Sequence, residues 1–508
     1  MQSIHDTRPA PCVPEPFNLA AHVLAKSAAR LGDKTALQIV TATDADRWSY
    51  ARLLGAVQGC AFGLLELGLV PGDRILMRLA NQVEFPILFL GAIAAGMVPV
   101  ATSAQLTQAE ITPMATRIAP RLIVASPGVA LPEAPSCPVL SDAQIRAMEQ
   151  RPAAPFHMAS PERPAYIIFT SGTSGRPMAV VHAHRAILAR QMMHADWEGL
   201  TEADRLLHAG AFNWTYTLGT GLMDPWTVGA TALIPGAGLD MAQLPQLLLQ
   251  HEVTIFAAAP GVYRQILRHP MPRLPHLRHG LSAGEKLAAE TRADWRMATG
   301  TPVCEALGMS EISTFVSESP DHAAPEGATG FAQTGRRIAA LGPDLMPVPC
   351  GTPGQLAIDR HDPGLMLGYL DAPEATAARL AGDWFLTGDT VTMAPSGAVT
   401  YLGRDDDQMN AGGYRVSPVE VEAAMARFPG LLEAAVTEVE VKPGVTVIAC
   451  FYAAATALDP AALAAHAEAT LARYKQPRLF RHLPALPRGA NAKLNRRLLR
   501  QMETHDKA

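Results

Sequence analysis

Tyr166 to Val181 reads Y-I-I-F-T-S-G-T-S-G-R-P-M-A-V-V. An apolar strand runs straight into a loop of hydroxyls and glycines. Glycine lets backbone approach an anion closely, and consecutive N–H groups can form a nest for phosphate oxygens. Thr170, Ser171, Thr173 and Ser174 add hydroxyl donors around Gly172 and Gly175. The G-x-x-x-x-G-K-[ST] phosphate loop is excluded, because its Lys and the following hydroxyl are missing. A Ser/Thr/Gly loop on its own is usually an ordinary turn. Its position directly after a buried-type strand is what marks this one.

On either side of this stretch, short apolar strands alternate with helical patterns. Upstream, Ala36–Val40, Arg74–Leu79, Val98–Val100 and Leu122–Ala125 are expected strands, with a helix over Phe85–Ala95. Downstream, Thr231–Ile234 and Thr254–Ala257 repeat the pattern. Alternation of this kind predicts parallel α/β layers. From about residue 330 the texture becomes β-rich, with short strands at Gln355–Ile358, Trp384–Phe385 and Val399–Leu402. A small α+β unit follows, with helices at Pro418–Arg427 and Pro460–Arg473 and strands at Ala434–Val439 and Thr446–Tyr452. The main boundary falls at Asp405-Asp406. The expected fold is thus α/β: an N-terminal domain over 1–405 and a small C-terminal α+β domain over 406–508.

Composition bounds the function. The 508 residues carry 42 basic and 47 acidic side chains, a net charge of −5. That balance argues against non-specific binding to nucleic acid or anionic membranes, which needs a basic patch. A chain of this length buries large cores without disulfides or metals. Cys12, Cys60, Cys137, Cys304, Cys350 and Cys450 are scattered, which fits reduced thiols and a cytoplasmic setting. No basic-then-apolar leader is expected at the N-terminus. The longest apolar run, Phe85–Val100, is interrupted by Pro86, Gly91, Gly96 and Pro99, and is expected to be a buried helix and strand rather than a membrane span.

Four further segments carry candidate chemistry. Glu305-Ala306-Leu307-Gly308-Met309-Ser310-Glu311 sets a carboxylate and a hydroxyl beside a flexible glycine. Thr387-Gly388-Asp389 presents an aspartate just past a strand. Gly403-Arg404-Asp405-Asp406-Asp407 begins a charged joint, followed by Gly412-Gly413-Tyr414-Arg415. Near the C-terminus, Asn491-Ala492-Lys493 places one lysine in a loop of small residues.

Together these motifs resemble the acyl-adenylate-forming enzymes: acyl-CoA synthetases, nonribosomal peptide adenylation domains and luciferases. The resemblance covers essentially the whole chain, with the motifs in the family order. Phe212-Asn213-Trp214, the run Leu222–Ala230, Ser282-Ala283-Gly284-Glu285 and the E-T-x-x-x-W stretch ending at Trp295 are most similar to medium-chain acyl-CoA and benzoate-type ligases. No carrier-protein domain is expected after residue 508, in keeping with the CoA-ligase resemblance.

The resemblance implies ATP, Mg²⁺ and coenzyme A as reaction partners, a small carboxylic acid as substrate, and catalysis by Lys493, Glu311 and Thr173. The loop Thr170–Gly175 should cradle the terminal phosphates of ATP. Glu311 should hold Mg²⁺, a hard cation that favours oxygen ligands. Ala283, Gly284, Glu285 and Glu305, Ala306, Leu307, with Gly308, Met309 and Ser310, should flank the adenine. Asp389 and Arg404 should bind the ribose, with Arg415 also at the nucleotide. Lys493 should neutralise charge at the carboxylate and α-phosphate. Trp214, Gly284 and Gly308 should line the acid pocket, and Gly412, Gly413 and Tyr414 the CoA arm. Asp406 should be the hinge of a mobile C-terminal domain. A homodimer is the default assembly.

Three departures from the family pattern stand out. Met178 replaces the loop lysine and Ala179 the following glycine, a loss worth roughly 1.5–3 kcal/mol for one charged hydrogen bond. Leu307 stands where the adenine-stacking tyrosine is usual, and Asn491-Ala492 precede Lys493 in place of Ser-Gly. Two alternatives stay open: an amide synthetase with an amine acceptor, and a degenerate nucleotide-binding protein.

Overall fold

The computed structural model describes residues 1–41, 44–170, 177–236, 238–404, 409–411, 414–442, 445–471, 473–488 and 494–505. The chain divides into two compact units, one of His5–Arg337 with Asp359–Phe385, the other of Met1–Ile4, Ile338–Ile358 and Leu386–Ala508. The expected boundary at Asp405-Asp406 lies outside the described residues.

The first unit holds two sheets. In the seven-stranded sheet, Pro164–Thr170, Val98–Ala101, Arg74–Arg78, Leu122–Ala125 and Val139–Ser141 run parallel. Met178–Ala183 and Gly368–Tyr369 add antiparallel strands at one edge. The nine-stranded sheet has a parallel middle of Thr35–Val40, Thr231–Pro235, Arg205–His208, Ile255–Ala258, His279–Ala283 and Val303–Met309. Ala45–Ser49, Ser313–Ser317 and Phe331–Ala332 complete its edges in antiparallel fashion.

The α/β class expected from the sequence is the one observed. Central strands of parallel sheets are covered on both faces, so they read as continuous apolar runs. Helix Glu84–Ala94 is apolar all round and every residue from Phe85 to Ala94 is buried. Such a helix belongs inside a large core. Asn18 opens helix Leu19–Leu31, its side-chain oxygen accepting from the N–H groups of Ala20 and Ala21 at 3.0 and 3.3 Å. Trp295 is wholly buried, stacked on Phe256 with ring centroids 5.5 Å apart, and so belongs to the core. No helix among the described residues is long and apolar enough to cross a membrane. None of the six cysteines is in a disulfide.

The second unit pairs Arg337–Leu341 with Gly354–Asp359 and Trp384–Met393 with Val399–Arg404. Further on, Leu431–Lys442, Val445–Ala454 and Leu479–His482 form a three-stranded sheet, with helices Pro418–Met425 and Pro460–Thr470. Both helices end earlier than expected, by two and three residues. The ten-residue strand Trp384–Met393 also corrects the expectation of a short strand at Trp384–Phe385 with Asp389 just past it: Asp389 lies within the strand. Gly388, with φ +75°, and a bulge at Thr390/Val391 let the strand bend and continue.

Candidate active site

Strand Pro164–Thr170 ends at Thr170, whose Cα partner across the hairpin is Met178. The loop Ser171, Gly172, Thr173, Ser174, Gly175 lies outside the described residues, as does Arg176. Past it, Ala179 is buried in an apolar cluster with Val100, Ile123 and Ile167, so its methyl group packs where a glycine would leave a gap. Two residues on from Val180, His182 stacks on Tyr166 with centroids 4.8 Å apart. Burial pulls its pKa down to about 4. The ring is therefore neutral at pH 7. Its Nε2 lies 2.7 Å from the Ser310 carbonyl, which only accepts, so Nε2 carries the proton.

That bond leads to the turn bearing Glu311. Strand Val303–Met309 bulges between Leu307 and Gly308 before Ser313–Ser317 returns alongside it. A Cβ on Gly308 would sit 2.5 Å from the Ser313 carbonyl and 2.7 Å from Thr314 Cα. Gly308 is thus a close-approach glycine in a strand and not the flexible point expected from sequence. The Glu311 side chain is buried; its Oε1 accepts from the Tyr369 phenol at 2.7 Å. Its backbone carbonyl accepts from Met366 N–H at 2.8 Å.

The segments expected beside adenine converge by register. Ala283 ends strand His279–Ala283 and pairs with Ala306. Gly284 follows at φ +97°, a conformation that favours glycine. Leu307, Gly308, Met309 and Ser310 are half-buried, as are Gly284 and Glu285. Glu305 points elsewhere: its Oε1 accepts from Leu287 N–H at 3.1 Å and its Oε2 lies 3.2 Å from Arg292. Burial pushes its carboxyl up to about 7, against the pull of Arg292. Trp214 precedes helix Thr215–Leu218 and meets Tyr216 edge-on at 5.3 Å. Tyr216 donates to the Leu281 carbonyl at 3.0 Å. Trp214 packs on the cluster that includes Ala283 and Ala306, so the core fixes its placement beside these strand ends.

In the second unit, Asp389 and Arg404 are Cα partners across a hairpin. Arg404 Nη1 donates to the Thr387 carbonyl at 3.1 Å and lies 3.4 Å from Asp389 Oδ1. Thr387 Oγ1 accepts from Asp389 N–H at 3.1 Å and donates to the Leu356 carbonyl at 2.9 Å. Asp406, Gly412, Gly413 and Lys493, and the side chains of Tyr414 and Arg415, lie outside the described residues.

Open α/β sheets bind ligands beyond the carboxyl ends of their strands. Ala283, Gly284 and the Leu307–Glu311 segment sit at such ends. Residues 24–370 match the family model of AMP-binding enzymes, and 420–493 that of the AMP-binding enzyme C-terminal domain. The chain belongs to the AMP-binding enzyme family. Among its relatives in the family is a benzoate–CoA ligase of Thauera aromatica, 31% identical over 97% of this chain and 98% of that protein. Acyl-coenzyme A synthetase ACSM2A, mitochondrial, of Homo sapiens is 28% identical over 97% of this chain and 92% of that protein. A solved benzoate CoA ligase from Burkholderia xenovorans LB400 superposes with a TM-score of 0.85 at 28% identity, covering 95% of this chain and 100% of that one.

The family motifs do not flag every residue that shapes the site. Tyr369 sits in an unremarkable L-G-Y-L run, and nothing local ties it to Glu311. Asp224 is different. A carboxylate inside the apolar run Leu222–Trp226 is a legible sign of a buried partner.

Proposed function

We propose that this AMP-binding enzyme is an ATP-dependent, AMP-forming carboxylate–CoA ligase acting on an aromatic or medium-chain acid. The observation that carries the reading is the end-to-end similarity to a benzoate–CoA ligase. The substrate carboxylate attacks the α-phosphorus of ATP, and the bond to the β-phosphate oxygen breaks, releasing pyrophosphate. The sulfur of CoA, having lost its proton, then attacks the acyl carbon, and AMP leaves. The thioester keeps the acyl group reactive.

The residue roles follow the resemblance, and the contacts of Glu311, Asp389 and Arg404 support theirs. The Thr170–Gly175 loop cradles the terminal phosphates. Glu311 suits Mg²⁺: it offers a hard oxygen, and its Oε2 has no hydrogen-bond partner among the described residues. Bound there with the phosphates, the ion would neutralise their charge. Asp389 and Arg404 hold the ribose, and Ala283, Gly284, Glu285 and Glu305–Ser310 wall the adenine. In this reading Glu305 supports that wall through Leu287 rather than touching the base. Trp214 closes the acid pocket beside Gly284 and Gly308. Lys493 stabilises the transition state, Gly412, Gly413 and Tyr414 receive the CoA arm, and the 406–508 domain turns about Asp406. The enzyme works in the cytoplasm as a homodimer.

The test incubates the protein with ATP, Mg²⁺, CoA and a panel of benzoic and C4–C10 acids, following AMP and acyl-CoA by mass spectrometry. Acyl-CoA formation with at least one acid is expected. AMP release with amide and no thioester would point to an amine acceptor instead. No AMP with any acid would point to a binding protein. Lys493→Ala should slow adenylate formation by a factor of roughly a hundred or more, the scale of losing one oriented donor to developing charge.

A further inference from the structure

The turn carrying Glu311 is tied to two buried ion pairs in the first unit that take no part in the proposed reaction. On one side, Arg190 forks onto Asp224, Nε to Oδ1 at 2.8 Å and Nη2 to Oδ2 at 2.5 Å. Both side chains are buried. The third guanidinium nitrogen, Nη1, donates to Ser313 Oγ at 2.5 Å. Ser313 has φ +76°, a conformation that costs a non-glycine residue energy and persists only when its surroundings enforce it. Gly219 makes room for the fork, since a Cβ there would lie 2.0 Å from Arg190 Cζ.

On the other side, Arg336 pairs with Asp362 at 2.6 Å and donates to the Thr314 carbonyl at 2.9 Å. Asp362 also accepts from Gly364 N–H at 2.8 Å, which sets the segment whose Met366 N–H and Tyr369 phenol reach Glu311. His194, Glu198 and Asp224 bring possible ligand atoms within 4.8 Å of one another. Arg190 occupies both Asp224 oxygens, so Asp224 serves here as the anchor of the guanidinium fork.

We propose that Arg190, through Ser313, and Tyr369, through Oε1, are positioning residues that fix the Glu311 carboxylate so that Oε2 is the oxygen offered to a divalent cation. Arg190 holds the Ser313 side chain at the start of the strand that leaves the turn, and Tyr369 holds the carboxylate itself. The proposal rests on the reading of Glu311 as the magnesium carboxylate.

The experiment measures binding of a non-hydrolysable ATP analogue by calorimetry, with and without Mg²⁺, and compares the gain that Mg²⁺ gives. Glu311→Gln should remove that gain. Tyr369→Phe should reduce it roughly tenfold, as expected for loss of a hydrogen bond to a charged group, and leave Mg²⁺-free affinity unchanged. Ser313→Ala, which cuts the tether to Arg190 along with a weak 3.8 Å contact to Met193 Sδ, should reduce it in the same direction by less. If Glu311→Gln keeps the gain, the reading of Glu311 itself fails. If Glu311→Gln loses the gain while Tyr369→Phe and Ser313→Ala keep it, positioning alone is overturned. Equal losses with and without Mg²⁺ in Tyr369→Phe would mean general damage and would also overturn it.

Discussion

Met178 stands where the family pattern places a lysine, directly across the hairpin from Thr170. An apolar side chain at that position can pack but cannot meet a phosphate. Met178→Lys should therefore lower the KM for ATP by roughly tenfold, the lower end of one charged hydrogen bond. Steady-state kinetics at saturating acid would check this; an unchanged KM would mean that the phosphates are neutralised without residue 178. Trp214 supports a second expectation. Its ring is held edge-on to Tyr216, so Trp214→Ala should open space beside Ala283 and move preference towards bulkier acids. An unchanged acid profile would remove Trp214 from the pocket wall.

At the scale of single elements, the bulge in Val303–Met309 is the most demanding piece of backbone at the site. Gly308→Ala forces a methyl group against carbonyl and Cα atoms that cannot rotate away. The unfolding midpoint should fall, at a cost of about 1–3 kcal/mol, and adenylation should fall with it. Gly55→Ala is the control. Gly55 lies in helix Tyr50–Glu66 with nothing within 4 Å of the added methyl, so it should gain up to about 1 kcal/mol. Thermal melts of both variants decide the point. These elements also explain what a reader of the chain can and cannot extract. Strands such as Val98–Ala101 and Leu122–Ala125 are legible because a strand covered on both faces must be apolar throughout. The segments proposed to wall the adenine are legible as motifs. The role of Gly308 is not, since a bulge depends on a partner strand. Tyr369 is hidden for the same reason: it meets Glu311 across 58 positions of chain. Strand Trp384–Met393 reads short from sequence because its polar residues, Thr387 and Asp389, interrupt the apolar run and become strand residues only through their hairpin partners.

For the molecule as a whole, pH dependence follows from buried imidazoles. Burial lowers His182 to about 4 and both His184 and His208 to about 3. The unfolded chain takes up these protons near pH 6.5, whereas the folded chain resists until pH 4 or below. Their stabilising share is therefore full above pH 6.5 and drains away on acidification towards pH 3, by at most roughly 4 kcal/mol per pH unit for three protons. Glu305 acts in the opposite direction. Its raised value means that stability is lost between pH 4.5 and about 7 as the folded chain gives up that proton last. Melts from pH 4 to 8 should fall steeply on the acid side, and His208→Gln should soften that slope; a flat profile would contradict the three neutral rings. The two sheets of the first unit have a different consequence. The strand leading into the hydroxyl-rich loop belongs to one of them, and Trp214, Tyr216 and the segments proposed to wall the adenine are built on the other. Under the proposed roles, only the loop that cradles the terminal phosphates hangs on the first layer, while the acid pocket, the adenine wall and Glu311 share the second. Selection, or a protein engineer, who retunes the menu of acids through Gly284 or Gly308 therefore reshapes the seat of the base as well, whereas a change at Trp214 leaves that shared backbone alone.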